Sequence, residues 1–291
     1  MMEMCTYASA AVTVRERLVC AGLILIAATL PQFAAAVPAC IPPIEVPRAK
    51  AVRVEKNGVI VLADGRAARL EGVLLPAGAS DHGPQVLADH AISALDDAAI
   101  NHVIDLAAEP PKEDRYGRIR AQILVHGNGD EIWLQKELLR KGLARVAIAP
   151  DRGECAEALY AAEARARREK AGIWSSPAYA IRDPSQAEDD VGTFQIVEGT
   201  VNSVTSSGGR VFLDFASDER TVFAATISTD DRKRFREIGV DPYAYASQTV
   251  RVRGWIERIG RLAEIELATP AQVEIVETPE VRGDSKKEAS P

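Results

Sequence analysis

The stretch EDRYGRIRAQILV, residues 113–125, joins a turn to a strand. Tyr116 and Gly117 form the predicted turn, and Arg118 stands at the start of the strand that follows. A second stretch, RLEGVLLPAG, opens with Arg69 and also reads as a strand that runs into a turn. Loops and turns at the ends of strands often carry binding and catalytic side chains. Both arginines are therefore candidate functional residues.

The flanking sequence predicts short strands interrupted by helices. Asn57-Gly58 and Asp64-Gly65 are strong hairpin signals, and they separate the strands AVRVE, VIVLADG and RAARLEGVLL. Further strands are predicted for INHVIDLA, GRIRAQILVH and LARVAI, and helices for GPQVLADHAISALDDA, LQKELLRKG and ECAEALYAAEARARREKAG. Later strand patterns are FQIVEGTVNSV, RVFLDFA, RTVFAATIS, QTVRVRGWIER, RLAEIEL and AQVEIVE, with the charged helix DDRKRFREIG after the third.

In combination, YGR, LLRKGLARV and AEARARREKAGIW, with LADGRAARLEGV before them, closely resemble the thermonuclease family. This resemblance covers about residues 50–175 and implies the staphylococcal-nuclease-like fold, a five-stranded OB barrel with three helices. The stretches VEGTVNSV, RVFLDF, DPYAY, VRVRGWIE and IELATPAQVEIVE resemble the appended domain of two-domain bacterial members. The expected fold class is mostly β with helices (α+β), a staphylococcal-nuclease-like OB-fold barrel followed by a second small OB-like β domain.

These patterns predict six segments along the chain. They are a signal peptide at 1–36, a proline-rich N-terminal segment at 37–50, a thermonuclease-like OB-fold domain at 51–175, a linker at 176–193, a second OB-like β domain at 194–277 and a disordered tail at 278–291.

The N-terminus has the pattern of an export signal. Arg15 and Arg17 precede the apolar run LVCAGLILIAATL, and small residues then lead to a cleavage site after Ala36. The run is shorter than the roughly 20 apolar residues that span a bilayer. We expect an exported protein, periplasmic or extracellular, with no transmembrane segment in the mature chain. An uncleaved membrane anchor is the alternative.

Removal of the leader leaves two cysteines, Cys40 and Cys155. An even pair in an oxidising compartment is a candidate disulfide. Two alternatives remain open from the sequence. Cys40 accepts a lipid anchor, although Pro38 fits that poorly, or both residues are free buried thiols.

The thermonuclease resemblance implies a phosphodiesterase site. In that family a calcium ion is held by carboxylates, two arginines bind the developing negative charge, and a glutamate acts on water. The two arginines match Arg69 and Arg118. The acidic and neighbouring threonine positions are occupied by residues without such side chains, namely Gly58, Leu74, Leu75 and Ala77.

Both phosphate-binding arginines are thus present while the metal ligands and general base are missing. We therefore expect a catalytically degenerate binding module with no cofactor. The net charge of −7 means that binding of a polyanion must depend on a local basic patch. The predicted phosphate-binding residues are Arg69, Arg118 and Tyr116, and the expected ligand is single-stranded nucleic acid, a nucleotide or a protein in the bacterial envelope.

Two other functions remain open. One is an active calcium-dependent secreted nuclease with a relocated metal site that uses Glu55, Asp64, Asp81 or Asp114. The other is a purely structural protein, in which Arg69 and Arg118 only pair with carboxylates such as Glu71 or Glu113.

Some conspicuous side chains are better explained by structure than by chemistry. Asp81 and His82 are interpreted as caps of the helix that begins near Pro84. His90 and His102 have no metal-spaced partner, so no zinc site is expected. The remaining residues of this kind are a basic cluster interpreted as a solvated helix face, Arg165, Arg167, Arg168 and Lys170, and two residues interpreted as core, Trp174 and Trp255.

Overall fold

The computed structural model describes residues 38–100, 102–127, 131–215 and 223–276. The predicted signal peptide at 1–36 and the predicted tail at 278–291 lie outside these residues. Within the described part, none of the helices is both long enough and apolar enough to cross a membrane. A closed five-stranded barrel comes first and a further sheet follows it. The predicted α+β fold class is confirmed.

The first half of the chain forms the barrel and its helices. Its strands are β1 (Ile44–Val54), β2 (Ile60–Leu62), β3 (Ala67–Leu70), β4 (Val73–Leu74), β5 (Val103–Ala107), β6 (Ile119–His126), β7 (Glu131–Trp133) and β8 (Arg145–Val146). Its helices are α1 (Gln85–Ala99), α2 (Leu134–Arg140) and α3 (Ala156–Glu169). β1 pairs antiparallel with β2 and with β5, β2 pairs with β3, and β5 pairs with β6. Parallel pairing of β3 with β6 closes the barrel.

The interior of the barrel follows the alternation that the sequence predicts. Alternate side chains of the strands point inward and are fully buried, among them Ile60, Ala68, Ile104, Leu106 and Ile123. β1 begins at Ile44, so the second half of the proline-rich segment already pairs with β5. β4 and β8 form a separate two-stranded sheet beside the barrel.

The C-terminal sheet has seven strands. They are β9 (Phe194–Thr200), β10 (Ser203–Ser207), β11 (Arg210–Asp214), β12 (Phe223–Ile227), β13 (Thr249–Ile259), β14 (Leu262–Glu266) and β15 (Val273–Ile275), and α4 (Asp231–Glu237) lies between β12 and β13. β10 pairs with β11, β11 with β12, β12 in parallel with β14, and β14 with β13. β13 also pairs with β9 and β15.

The segment predicted as a linker is folded. It contains two short 3-10 helices, Pro177–Tyr179 and Pro184–Asp190, and it buries Tyr179 and Ala187. The described chain after residue 35 forms one compact unit.

The interpretation of Trp255 as core was wrong, because this side chain is 51% exposed and touches Phe194 edge to face. Its neighbours Gly254 and Ile256 are buried, and side chains alternate along a strand, so Trp255 lies on the opposite, exposed face of β13.

A disulfide joins Cys40 to Cys155 across a sequence separation of 115 residues, which confirms the predicted pair. It attaches the N-terminal segment to the residue directly before α3. Such a cross-link reduces the conformational freedom of the unfolded chain, and more so when the closed loop is long.

Two fully buried arginines join the barrel to the C-terminal sheet. Arg253 of β13 donates from Nη1 to both carboxylate oxygens of Glu163 in α3, at 3.1 and 3.0 Å, and to the carbonyl of Val146 at 3.1 Å. Arg145 of β8 donates from Nη2 to Asp81 Oδ2 at 2.7 Å and from Nη1 to the carbonyl of Phe194. Arg167, predicted on a solvated face, is instead largely buried in this contact beside Glu163.

Replacement of both cysteines by serine should lower the free energy of unfolding by about 2–4 kcal/mol, because the unfolded chain regains the freedom of a long loop. Urea unfolding followed by circular dichroism measures this. Reductant should lower the stability of the natural protein to that of the variant and leave the variant unchanged. A variant as stable as the oxidised protein would contradict the expected role of the bond.

Glu163→Gln should lower the free energy of unfolding by about 1.5–3 kcal/mol, because it removes one of the two carboxylates that compensate the buried Arg253 and leaves only Glu274. The control is Glu188→Gln, whose partner Arg258 is exposed and whose loss should cost no more than about 1 kcal/mol. Equal effects of the two substitutions in urea unfolding would show that burial does not strengthen the Glu163 contact.

Candidate functional site

The parallel pairing of β3 with β6 places two arginines at one end of the barrel. Arg69 of β3 lies in register with Arg120, and Arg118 stands two residues earlier, at the start of β6. A pocket of about 210 Å³ opens between these strand ends. We call it the arginine pocket, and its lining residues are Asn57, Gly58, Val59, Arg69, Leu70, Val73, Leu74, Leu75 and Arg118. The structure thus brings together most of the positions that the sequence resemblance singled out.

The family's acidic positions are apolar in the arginine pocket. Gly58, Leu74 and Leu75 line it, whereas Ala77 does not. A Cβ placed on Gly58 would lie 2.6 Å from a terminal methyl group of Leu75. The leucine therefore occupies the space into which a side chain at position 58 would project. Calcium requires oxygen ligands, so these residues do not fit a calcium ion.

Arg118 is held by the turn that precedes it. Its Nε donates to Asp114 Oδ2 at 2.7 Å, and its guanidinium lies 4.9 Å from the centroid of the Tyr116 ring. Burial favours a higher pKa for Asp114, but hydrogen bonds from Arg118 and from the Tyr116 amide outweigh it and hold the pKa below its ordinary value. Arg118 is thus oriented and partly neutralised by its own loop, and its partner is neither Glu71 nor Glu113.

Arg69 has a different environment. It is half-buried, and no hydrogen bond or ion pair joins its side chain to any residue in the described part of the chain. The nearby carboxylate of Glu71 instead accepts from Arg120 Nε at 2.8 Å, and Arg120 also forms two bonds to Asp151. The guanidinium of Arg69 is therefore the cation of the pocket with free hydrogen-bonding capacity.

The proposed relocated metal ligands are each paired with an arginine. The pairs are Glu55 with Arg53, Asp64 with Arg66, Asp81 with Arg145 and Asp114 with Arg118. For Asp64, the hydrogen bonds from Arg66 hold its pKa below the ordinary value. Across the described ranges, none of the four belongs to a group of three potential metal ligands. The four carboxylates therefore do not assemble a replacement calcium site.

The prediction that Asp81 and His82 cap the following helix was wrong. Pro84 occupies the cap position of α1, without a side-chain cap. Asp81 is 1% exposed and accepts from the Ala77 amide as well as from Arg145, while His82 lies 3.4 Å from Asp190. The partner that decides the position of Asp81 is 64 residues away, beyond the reach of local capping rules.

Sequence reasoning missed two features of the site. It named Asp114 only as a possible metal ligand, whereas the Asp114 carboxylate orients Arg118 by accepting from both its backbone amide and its Nε. The signal was an aspartate four residues before an arginine across a glycine turn. It also overlooked Arg120, which follows Arg118 on the same strand face and engages Glu71.

Comparison with known proteins agrees with the geometry. Residues 69–176 match the family model described as staphylococcal nuclease homologue. The match begins at Arg69 and includes Arg118, and the closed five-stranded barrel fits the same family. Over this part of the chain, the fold and the family match both fit a staphylococcal-nuclease-like domain. No curated protein matches the chain.

Gly58→Ala should cost more stability than Gly65→Ala, although both glycines have positive φ, +79° and +87°. The shared backbone strain is worth about 1–2 kcal/mol, and contact with Leu75 should add about 1–3 kcal/mol at position 58 alone. No atom lies within 4 Å of the added methyl at position 65. Urea unfolding measures both values.

Leu75→Ala supplies the second half of a double-mutant cycle with Gly58→Ala. The combined loss of stability should be smaller than the sum of the single losses by about 0.5–3 kcal/mol, because the shortened side chain no longer meets the new methyl. Strict additivity would contradict the packing of Leu75 over Gly58.

Proposed function

We propose that this chain is a catalytically degenerate thermonuclease-like protein that binds the phosphate groups of single-stranded nucleic acid or nucleotides in the arginine pocket. The observation that carries the proposal is the half-buried Arg69, whose guanidinium has no partner among the described residues and faces the pocket beside Arg118. Guanidinium groups bind phosphate oxygens in a bidentate manner and keep their charge at all physiological pH values.

Tyr116 gives the ligand a second point of contact. Its ring is 64% exposed, and its neighbours Arg115 and Arg118 lie 4.8 and 4.9 Å from the ring centroid. An exposed aromatic ring beside a phosphate-binding arginine is a platform on which a base can stack, and such stacking tolerates any base. The combination favours a single-stranded ligand over a duplex, because paired bases are not free to stack on a side chain.

The same pocket argues against hydrolysis. Leu74 and Leu75 supply no oxygen ligand for a metal ion, and Ala77 supplies no base. Loss of a single group that stabilises a transition state costs about 3 kcal/mol. Three such losses would remove most of a nuclease's rate, while phosphate binding by the arginines is retained.

Export to an oxidising compartment is part of the proposal. The Cys40–Cys155 disulfide supports it, because such bonds persist outside the cytosol and are rare within it. The leader-like N-terminus supports the same location. A disulfide-bonded Cys40 also has no free thiol for the lipid anchor considered as an alternative.

We further propose that the C-terminal sheet is a second OB-like domain. β9 and β10 are separated by only two residues and are counted here as one first strand, which makes β12 the third strand and β14 the fifth. These two pair in parallel, as β3 and β6 do in the barrel. A helix follows the third strand in both, and the first strand in both pairs with the second and the fourth. Shared connectivity of this kind supports a common architecture.

Calorimetric titration with a nucleoside bisphosphate tests the proposed function. Binding should occur in EDTA and should not strengthen with calcium, because the arginines need no metal ion. Arg69→Ala and Arg118→Ala should each weaken binding about 10- to 100-fold, the value of a hydrogen bond to a charged group. Arg53→Ala, which removes an exposed arginine outside the pocket, is the matched control.

An assay for hydrolysis of denatured DNA in the presence of calcium distinguishes a degenerate binding protein from an active nuclease and from a structural protein. Turnover that disappears in Arg118→Ala would establish an active nuclease and overturn the degenerate function. Absence of both turnover and bisphosphate binding would favour the structural protein that recognises only a protein partner. Binding without turnover is the result expected here.

A further inference from the structure

Three potential metal ligands meet on the outer face of the barrel. Asp105 of β5, His126 of β6 and Glu131 of β7 each offer one ligand atom, and these atoms lie within 4.8 Å of one another. We call them the histidine cluster. All three side chains are partly buried. The sequence alone predicted no zinc site, because only His90 and His102 were considered and neither takes part here.

The strand register explains why the three side chains converge. His126 lies directly opposite Glu131 on β7 and opposite Val103 on β5, so Asp105 is its diagonal neighbour. Side chains alternate between faces along a strand. Because Ile104 points into the core, Asp105 points outward with the other two.

The imidazole of His126 lies close to a carboxylate but does not form a well-directed hydrogen bond with it, an arrangement that suits a metal ligand. Its Nε2 lies 2.9 Å from Asp105 Oδ2, yet the N–H direction does not meet that oxygen. Nε2 is shielded from solvent and forms no hydrogen bond to any described residue. A shielded polar atom without a partner is costly, and a metal ion in the plane of the ring would satisfy it.

The other cluster residues complete the donor set. Asp105 Oδ1 accepts from the Arg48 amide at 2.5 Å, which orients the carboxylate and leaves Oδ2 for an ion. Bonds from zinc to nitrogen or oxygen are about 2.0–2.2 Å long, so two ligands of one ion lie about 3 Å apart. The His126–Asp105 separation already meets this. Glu131 has a flexible side chain that can move inward to complete the set.

We propose that Asp105, His126 and Glu131 bind a divalent transition-metal ion of the zinc class. One imidazole and two carboxylates suit a borderline ion better than calcium, which prefers oxygen ligands alone. Three protein ligands leave at least one coordination position for water. The bound ion ties the β6–β7 hairpin to β5.

This site is separate from the arginine pocket. Arg118 lies just before β6 and His126 ends it, so the eight residues of the strand place the two about 25 Å apart. The metal proposal therefore neither requires nor affects phosphate binding, and each can fail without the other.

Calorimetric titration of the metal-free full chain with zinc tests the proposal. We expect one zinc ion per chain and a raised melting temperature, because the ion binds only the folded state. Calcium should give neither effect. His126→Gln, Asp105→Asn and Glu131→Gln should each lose the zinc-dependent rise, while His90→Gln, at an exposed histidine of α1, should retain it.

Cobalt gives an independent spectroscopic readout. Titration with cobalt should produce visible absorption bands of a coordinated ion, and these should be absent in His126→Gln. The competing explanation is that a protonated His126 pairs with the two carboxylates, and it predicts no zinc binding. Failure of zinc to raise the melting temperature, or a rise that persists in all three cluster variants, would overturn the proposal.

Discussion

The buried ion pair between Arg253 and Glu163 is the contact on which the arrangement of the two halves depends. A guanidinium removed entirely from water is tolerable only where hydrogen bonds and a counter-charge replace its hydration. Arg253 obtains part of this compensation from the barrel, through the Glu163 carboxylate and the Val146 carbonyl, and part from Glu274 of β15 in its own sheet. Sliding or separation of the halves would leave Arg253 with Glu274 alone and Glu163 with Arg167 alone, so a shift of the interface costs several hydrogen bonds between buried groups.

The contact between Arg253 and the barrel is connected to the arginine pocket through β8 and β4. Val146 belongs to β8, which pairs with β4, and Leu74 of β4 lies opposite Arg145. Arg145 in turn donates to the Phe194 carbonyl of β9. The C-terminal sheet thus supports the strand that forms one wall of the pocket. Through Arg145 it helps to hold that wall in position.

The two arginines of the pocket are not equivalent. A phosphate that approaches Arg118 must share the guanidinium with Asp114, whereas Arg69 has no described partner to release. Under the proposed function, the affinity for phosphate should therefore depend more on Arg69, and Arg118 and Tyr116 would orient the ligand. Leu75 packs over Gly58 and gives this part of the pocket an apolar wall.

The sequence predicted features that depend on residues close together in the chain and missed several that depend on residues far apart. Hairpins at Asn57-Gly58 and Asp64-Gly65 depend on neighbouring residues, and the corresponding strands formed as expected. The disulfide followed from cysteine counting. The role of Asp81 was missed because its partner is distant in the sequence, and no local rule identifies a buried arginine such as Arg253. The histidine cluster depends on strand register, which the sequence did not supply.

The parallel strand pairs of the two halves differ in how their arginines are bonded. In the barrel, β3 and β6 place Arg69 opposite Arg120. In the C-terminal sheet, the parallel strands β12 and β14 carry Thr226 and Glu264, and both side chains accept from Arg210 Nη2, at 2.8 and 2.6 Å. That arginine has its hydrogen bonds and its counter-charge within the sheet. An anion would have to displace Glu264 to reach it, so the same topology supports a closed polar network in one half and an open cationic pocket in the other.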